Sequence, residues 1–403
     1  MIDTKTAIEK ITNGEFDNLF TDIYIDSSMI DYQKKRYVHA IEQYETIFCP
    51  DKVAIFSAPG RSEVCGNHTD HQHGMVLATS INLDTIAVSA KNNNDVVRFV
   101  SDGYDMITLD INDLEVNDDE AGTTVSLIRG VLRGLKDHGY KIGGFNAYAT
   151  SDVLVGAGLS SSAAFEVVVG TIISGLYNDM KINSVEIAQI SQYAENVFFK
   201  KPCGLMDQMA CSVGGMVNID FKDPTKPIVK KVPTEFEKYD YSLCIVDTKG
   251  DHVDLTDDYA MIPSEMKKVA NFLGEDYLRD CDSNEFYIRL DEIREAVGDR
   301  PVLRAIHFFN EDHNVKNPVS SLEDGKFVEF LDAIRKSGNS SFKYLQNVYT
   351  TRDIQHQNIS VALALSESLL RNYGVCRVHG GGFAGTIQAF VKNEFVSNYK
   401  EFI

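Results

Sequence analysis

Residues 155–166 constrain this chain more than any other stretch, because two glycines, a run of serines and an apolar segment follow one another there. Gly156 and Gly158 can adopt positive φ at little steric cost, so backbone N–H groups of this segment can turn toward a single point. The apolar residues after Ser162 predict a buried helix, whose free N–H groups and positive dipole end would face the same point. We therefore expect an anion site, with phosphate as its ligand. Its residues would be Gly156, Ala157, Gly158, Leu159, Ser160, Ser161 and Ser162.

Short runs of glycine and serine occur in several kinds of loop. The stretch is not a Walker A loop, since no lysine with a following hydroxyl residue comes after its last glycine. It is not a dinucleotide-binding fingerprint either, since the third glycine of that motif is absent. The remaining alternative is a turn whose serines merely cap the helix that follows. A second motif has to decide between the two interpretations.

The composition limits the partners of the chain. A net charge of −20 and a pI of about 4.9 would repel nucleic acid and anionic membranes. Seven cysteines without a CxxC pair indicate reduced thiols rather than a disulfide framework. The polar amino terminus lacks the apolar core of a signal peptide, and no window approaches the roughly 18 apolar residues of a membrane helix. We expect a cytoplasmic protein that binds neither nucleic acid nor membrane.

The length of 403 residues predicts about two domains, at roughly 100 to 200 residues each. The composition shifts at residues 221–227, which are rich in proline and charge, and this is the best candidate boundary. We therefore expect an extension over residues 1–35, a first domain over 36–220 and a second over 221–403. Strand-like runs that alternate with helical periodicities predict α/β domains.

Three local predictions matter for placing the motifs. A strand over residues 53–57 should end at Pro59, which would deliver Arg61 into a turn. Residues 75–90 should form two separate β-type stretches. A helix should run from Ser184 to about residue 200, where Pro202 prevents its continuation.

The segment after Arg61 is dense in polar side chains. Arg61, His68 and Asp70 form a set that could hydrogen-bond the hydroxyls of a polyol. His68, His71 and His73 could instead belong to a zinc site or a surface loop. The zinc interpretation is weak because no cysteine or clear fourth ligand stands at a matching spacing.

Asp207 is an acidic residue in an otherwise apolar and glycine-rich run. Because burying an unpaired charge is costly, an aspartate there needs a specific reason. It could be a helix cap, part of a buried ion pair, or a catalytic acid or base beside a bound hydroxyl. A further glycine-rich loop, Gly380, Gly381 and Gly382, precedes the last predicted strand.

Four motifs in this order resemble the GHMP small-molecule kinases, and within them the galactokinases. They are the sugar-type signature from Ala58 to Asp70, the loop of residues 156–164, the segment of residues 202–208 and the glycines of residues 380–385. The resemblance covers the chain from about residue 37 to its end. It implies a two-domain architecture of mixed sheets and helices, of the α+β or α/β class, with the active site in the cleft between the domains. It also implies ATP and Mg²⁺ as cofactors, and we expect a monomer.

The resemblance assigns a role to each motif. Asp207 would be the base, or the anion that orients the sugar's anomeric hydroxyl. Arg61 would lower the pKa of Asp207 and stabilise charge on the transferred phosphoryl group. Ser162 and Glu195 would hold Mg²⁺. The positions expected to contact the sugar are Asn67, His68, Asp70, Gly204 and Tyr259, and Gly380, Gly381 and Gly382 would shape the back of the site.

Two positions depart from the galactokinase pattern. Galactokinases usually have Asn where this chain has Glu63, and Glu where this chain has Asn67. In the family that glutamate contacts the sugar's 6-hydroxyl, so Asn67 would no longer repel a carboxylate at C6. The expected reaction is phosphorylation of the C1 hydroxyl of galactose. Two alternatives remain open: a kinase for galacturonate or another C6-modified sugar, and a sensor that binds sugar and ATP without turnover.

Overall fold

The computed structural model describes residues 1–49, 52–156, 158–234, 236–250 and 255–403. The chain forms two compact units. Unit 1 consists of Met1–Arg61, Ser80–Leu154 and Ser160–Gly214, and unit 2 of Ser62–Thr79, Val155–Leu159 and Gly215–Ile403. The division into residues 1–35, 36–220 and 221–403 stays a prediction.

Unit 1 is built from seven helices and a mixed sheet within the described residues. The helices are α1 (Thr4–Thr12), α2 (Asp17–Tyr24), α3 (Ile30–Phe48), α4 (Thr124–Asp137), α5 (Ser161–Tyr177), α6 (Ser184–Tyr193) and α7 (Met206–Val213). The strands are β1 (Ala54–Cys65), β2 (Met75–Lys91), β3 (Val96–Ser101), β4 (Ile107–Asp110) and β5 (Phe145–Ser151), and the end of β1 and the start of β2 belong to unit 2. They are ordered β4, β3, β5, β2, with β1 also paired to β2. β3 and β5 are parallel, and the pairs β3/β4 and β2/β5 are antiparallel.

Side chains of β2 enter cores on both faces of this sheet, because neighbouring residues of a strand point in opposite directions. Ala87 belongs to a cluster with α4, α5 and α6, whereas Ile86 and Val88 belong to a cluster with α1, α2 and α3. The amino-terminal helices are thus part of the packing of unit 1.

The structure corrects three local predictions in this part of the chain. β1 does not end at Pro59 but continues to Cys65, which carries Arg61 on a strand instead of in a turn. β1 pairs with β2, and a strand can contain a proline where the missing N–H is not needed for pairing. Residues 75–91 form one strand of 17 residues instead of two. The helix that begins at Ser184 changes to a π-helical turn over Ala194–Phe198.

Unit 2 contains a small antiparallel sheet and eight helices within the described residues. Its helices are α8 (Thr256–Phe272), α9 (Ser283–Ile288), α10 (Leu290–Val297), α11 (Asp299–Asn314), α12 (Lys316–Glu323), α13 (Phe327–Ser340), α14 (Asn358–Leu370) and α15 (Val396–Phe402). Its strands are β6 (Met216–Asp220), β7 (Ile228–Lys231), β8 (Tyr241–Asp247), β9 (Gly374–Val378) and β10 (Thr386–Lys392). The order β8, β10, β9 is antiparallel throughout, so the chain reverses between β9 and β10 through the glycine loop of residues 380–382. Of the other two strands, β6 pairs with the first residues of β2, and β7 pairs with β6.

Candidate active site

Unit 1 brings Arg61, Ser160 and Asp207 together. Arg61 Nε donates to Asp207 Oδ1 at 2.7 Å, and Ser160 Oγ donates to Asp207 Oδ2 at 2.5 Å. β1 presents the arginine, and the first turn of α7 presents the aspartate. The Arg61 side chain is buried, whereas that of Asp207 remains 30% exposed. Asp207 is therefore a paired anion that solvent and small ligands can still reach.

The surroundings of Asp207 stabilise its charged form. Burial alone would raise the pKa of this carboxyl, but the charge and hydrogen bond of Arg61 and the hydroxyl of Ser160 lower it to about 2. The group is thus ionised at any pH near neutrality.

The helix-capping interpretation of the serines is wrong for Ser160. This residue precedes α5 with a φ of 60°, and its side chain makes no capping hydrogen bond. Its hydroxyl instead bonds to Asp207. The amino-terminal end of α5 therefore has no cap from Ser160, as an anion site at a helix terminus requires.

Two oxygen donors that suit a hard cation lie next to one another in unit 1. Ser162 Oγ donates to Glu195 Oε1 at 3.0 Å, and Glu195 is on the π-helical turn. Lys201 Nζ is 2.8 Å from the same carboxylate oxygen, and Gln208 Nε2 donates to Oε2 at 2.6 Å. A hydroxyl and a carboxylate at this separation fit Mg²⁺, which accepts a few protein oxygens and completes its shell with water and phosphate.

Glu166 is a further acid in this part of unit 1. It is fully buried four residues after Ser162 on α5, and Gln208 Nε2 donates to its Oε2 at 3.2 Å. Burial and the nearby Glu195 raise its pKa well above the ordinary value. Gln208 therefore links Glu166, a carboxyl that favours its neutral form, to Glu195.

In unit 2, the side chain of Asn67 is fully buried and fully hydrogen-bonded. Its Nδ2 donates to Glu63 Oε2 at 3.0 Å and to Gly380 O at 2.7 Å. Its Oδ1 accepts from Asn347 Nδ2 at 2.7 Å and from Ser341 Oγ at 3.3 Å. An amide has two donors and two acceptor positions, so protein groups use its whole capacity. A contact between Asn67 and the C6 group of a sugar stays a prediction.

Glu63, the other position that departs from the galactokinase pattern, is a buried partner of Asn67. Its Oε1 is 3.1 Å from Arg377 Nη2, and both side chains are almost fully buried. The carboxylate of this pair therefore lies at position 63 and is compensated by a guanidinium.

The three histidines of the sugar-type signature make different contacts. His68 Nε2 is 3.0 Å from Gly381 O, so Nε2 carries the proton, because a carbonyl can only accept. Burial and the neighbouring His71 lower the pKa of His68 to about 3, so the ring is neutral. His71 stacks on His68, whereas His73 stacks on Tyr277.

The remaining expected residues lie on helices and in loops. Tyr259 donates its hydroxyl to Gly382 O at 2.8 Å, in unit 2. Asp70 begins a short 3₁₀ turn in the same unit, and Gly204 lies in the loop before α7 in unit 1. A Cβ on Gly158 would come within 3.2 Å of Thr386 Oγ1, and Leu159 is buried. Ala157 lies outside the described residues. Gly156 is exposed with a φ of 78°, while Ser161 is half-buried as the first residue of α5.

Sequence reasoning missed several residues that hold these groups in place. Lys201 directly precedes the motif of residues 202–208, and Gln208 is the last residue of that motif. The motif could therefore have pointed to both. Asn347 and Arg377 carried no such signal, since each is remote in sequence from its partner and belongs to no motif: Asn347 bonds to a residue 280 positions away and Arg377 to one 314 positions away.

Two family models match the chain at the motifs that build this site. The model of the GHMP kinases N-terminal domain matches residues 126–215. The galactokinase galactose-binding signature matches residues 42–91.

Curated relatives and solved structures agree with these matches. The chain is 28% identical over 358 residues to a galactokinase of Streptomyces coelicolor, covering 87% of this chain and 88% of the relative. It is 29% identical over 375 residues to a galactokinase of Limosilactobacillus reuteri, covering 90% and 91%. The crystal structure of Lactococcus lactis galactokinase complexed with galactose superposes with a TM-score of 0.76 at 23% identity, covering 89% of this chain and 91% of that one. The chain is therefore similar to the GHMP kinases, and among them to the galactokinases, in the two segments that the family models match and in its fold.

Proposed function

We propose that the chain is an ATP-dependent sugar 1-kinase that phosphorylates the anomeric hydroxyl of galactose. The observation that carries the proposal is the Arg61–Asp207–Ser160 cluster, an accessible anion beside the amino-terminal end of α5. The galactokinases among its relatives, which match about nine-tenths of the chain, supply the substrate class.

In the proposed reaction, the C1 oxygen of the sugar attacks the γ-phosphorus of ATP. The bond from that phosphorus to the β–γ bridging oxygen breaks, and ADP leaves with the bond's electrons. The hydroxyl proton is lost as the new P–O bond forms. Asp207, with a pKa of about 2, is a weak base, so it holds and orients the hydroxyl and takes up its proton only late in the reaction. Arg61 keeps Asp207 ionised and stabilises negative charge on the transferred phosphoryl group.

Ser162 and Glu195 are the proposed ligands of Mg²⁺. The bound ion would neutralise charge on the ATP phosphates. Lys201 shares Glu195 Oε1 with Ser162, so the lysine keeps this carboxylate oriented and partly neutralised. The backbone of Gly156–Ser162 and the amino-terminal end of α5 would receive the phosphates.

Galactose fits the charges near position 67 better than galacturonate does. Although residue 67 is an amide, the carboxylate of Glu63 is 3.0 Å from its Nδ2. An anionic substituent near Asn67 would therefore still approach a carboxylate, and Arg377 already pairs with that carboxylate. The neutral C6 hydroxyl avoids this repulsion.

The proposed setting is a monomer in the cytoplasm. All seven cysteines are free thiols, as reducing compartments favour. Within the described residues, no helix combines the length and the apolar character needed to cross a membrane. Sedimentation analysis of the purified protein tests whether it is a monomer.

A coupled assay of ADP release against a panel of sugars with a free C1 hydroxyl tests the proposed function. We expect turnover with galactose, and loss of turnover in Asp207→Asn with ATP binding retained, because only the charge of the orienting group is removed. Thermal unfolding of the variant controls for its fold. Binding of galactose and ATP by the wild type without ADP release would instead establish a sensor, and wild-type kcat in Asp207→Asn would reject the assigned mechanism.

A further inference from the structure

Side chains hold all three carbonyl groups of the glycine loop of residues 380–382. Gly380 O accepts from Asn67 Nδ2, and Gly382 O accepts from the Tyr259 hydroxyl. Gly381 O accepts from both Asn347 Nδ2 and His68 Nε2, at 3.0 Å each. Three consecutive peptide groups with fixed carbonyl directions leave the loop little freedom to rotate.

Asn347 belongs to none of the four motifs. It is fully buried, and its Nδ2 donates to Asn67 Oδ1 at 2.7 Å as well as to Gly381 O. Its Oδ1 has no hydrogen-bond partner among the described residues, so the position uses the donors of the amide. The loop also lies against the backbone of Asn347, because a Cβ on Gly382 would clash with Asn347 O.

A buried ion pair orients the second amide. Arg377 pairs with Glu63 Oε1, and Glu63 Oε2 accepts from Asn67 Nδ2. With its acceptor fixed on one side, Asn67 can present its other N–H to Gly380 O and its Oδ1 to Asn347. The contacts therefore run from the Arg377 guanidinium to the Glu63 carboxylate. They continue through the amides of Asn67 and Asn347 to the glycine loop.

We propose that Asn347 and Asn67 are positioning residues that fix the Gly380–Gly382 loop for the sugar site, and that the side chains at positions 63 and 67 work as one acid–amide pair. The two departures from the galactokinase pattern then form a single reciprocal exchange between contacting residues. This inference rests on the proposed function for its kinetic consequence and on the hydrogen bonds alone for its structural one.

The kinetic test is Asn347→Asp, which keeps the shape of the side chain and removes both donors. Because a small misplacement of the loop disturbs the bound sugar, we expect kcat/KM for galactose to fall by about tenfold to a hundredfold. The KM for ATP should change less than the KM for galactose, since Asn67 and His68 belong to the sugar-type signature. Asn92→Asp is the matched control: its Nδ2 also donates to a backbone carbonyl and an amide oxygen, Val96 O at 2.8 Å and Asn146 Oδ1 at 2.9 Å, and these lie in unit 1. Equal effects of the two substitutions on kcat/KM for galactose would overturn the positioning role of Asn347.

Tyr259→Phe provides a second variant if Asn347→Asp fails to fold. It removes only the hydroxyl that donates to Gly382 O, and it should lower kcat/KM for galactose in the same direction. If both residues act through the position of one loop, the double variant should lose less than the product of the two single effects. Strictly multiplicative effects in the double variant would reject a shared action. If Asn347→Asp does not fold, wild-type kinetics in Tyr259→Phe would reject it as well.

A thermal-unfolding cycle tests the acid–amide pair without any assumption about activity. Glu63→Asn leaves the buried Arg377 without its carboxylate, and Asn67→Glu places two carboxylates beside one guanidinium, so each should lower the Tm. The double exchange restores one acid and one amide, and most of the lost Tm should return. A double variant no more stable than the weaker single variant would overturn the pairing. If the wild type had no kinase activity, the proposed function would fail, while this cycle would still decide the pairing.

Discussion

Asp207 is the residue whose chemistry depends most on its neighbours. A carboxylate beside a buried arginine gains charge stabilisation and loses basicity, since both follow from the same fall in pKa. For transfer of a phosphoryl group, orientation and electrostatic stabilisation contribute more than proton removal. The pairing of Asp207 with Arg61 and Ser160 suits a residue that orients and stabilises charge more than it removes a proton.

The pH dependence of turnover should report this pairing. In the wild type, Asp207 is ionised above its pKa of about 2, so its charge and its contribution to stability are lost only as the pH falls through that value. Arg61→Ala removes the largest cause that lowers the pKa of Asp207 and leaves burial, which raises that pKa. The acidic limb of the kcat/KM profile should therefore move to higher pH in Arg61→Ala than in Arg61→Lys, which keeps a positive charge.

Profiles of residual activity between about pH 4 and pH 8 would make this comparison, since an unperturbed aspartate titrates near 3.9. Coincident acidic limbs in Arg61→Ala and Arg61→Lys would mean that the charge at position 61 does not control Asp207.

The glycine loop between β9 and β10 shows how one element depends on residues far away in sequence. Gly380 and Gly382 have positive φ values of 62° and 81°, which glycine adopts readily. The sequence could predict a glycine-rich turn at this point, but not the side chains that fix it. Asn347 follows a π-helical turn over Ser341–Leu345 and a left-handed Gln346, and such local geometry has no recognisable sequence pattern.

Gly382→Ala should be far more damaging than Gly103→Ala. Both glycines have a φ near 80°, so a new side chain adopts the same unfavourable backbone conformation, at about 1 to 2 kcal/mol. At Gly103 nothing lies within 4 Å of the new Cβ, whereas at Gly382 the backbone of Asn347 would have to move. Overpacking of this kind adds about 1 to 3 kcal/mol. Urea unfolding of the two variants would measure the difference, and equal losses of stability would show that the loop tolerates a Cβ.

At the scale of the whole molecule, the motifs and the fold class could be predicted from the sequence better than the extent of the elements and the way the chain divides into units. The ordered motifs predicted the GHMP kinase fold, and the structural relatives confirm it. The extent of β1 was not predictable, because proline rarely occurs inside a strand. The assignment of residues 62–79 and 155–159 to unit 2 was not predictable either, because the composition does not change at these segments.

The amino-terminal helices are the clearest case of a part that the motifs do not reach. Residues 1–35 lie outside the family resemblance, yet Tyr24 donates to the buried Asp84 at 2.9 Å, and Arg36 forms an ion pair with the same aspartate. Phe20 packs on Tyr24 and Tyr37, with ring centroids at 6.1 and 4.9 Å. We infer that this segment stabilises unit 1 instead of contributing to its chemistry.

Phe20→Ala tests this inference against Leu19→Ala, its neighbour on α2. Phe20 is 2% exposed and Leu19 is 50% exposed, so only the first substitution opens a cavity in the core. Loss of a buried phenylalanine typically costs about 3 to 5 kcal/mol, whereas an exposed substitution stays within about 0.5 kcal/mol. We therefore expect Phe20→Ala to unfold at a clearly lower urea concentration, while its kcat on folded protein at low temperature stays close to that of Leu19→Ala. If the two variants unfolded together, α2 would not belong to the cooperative core of unit 1. If Phe20→Ala lost kcat without losing stability, the amino-terminal helices would have a role in the reaction after all.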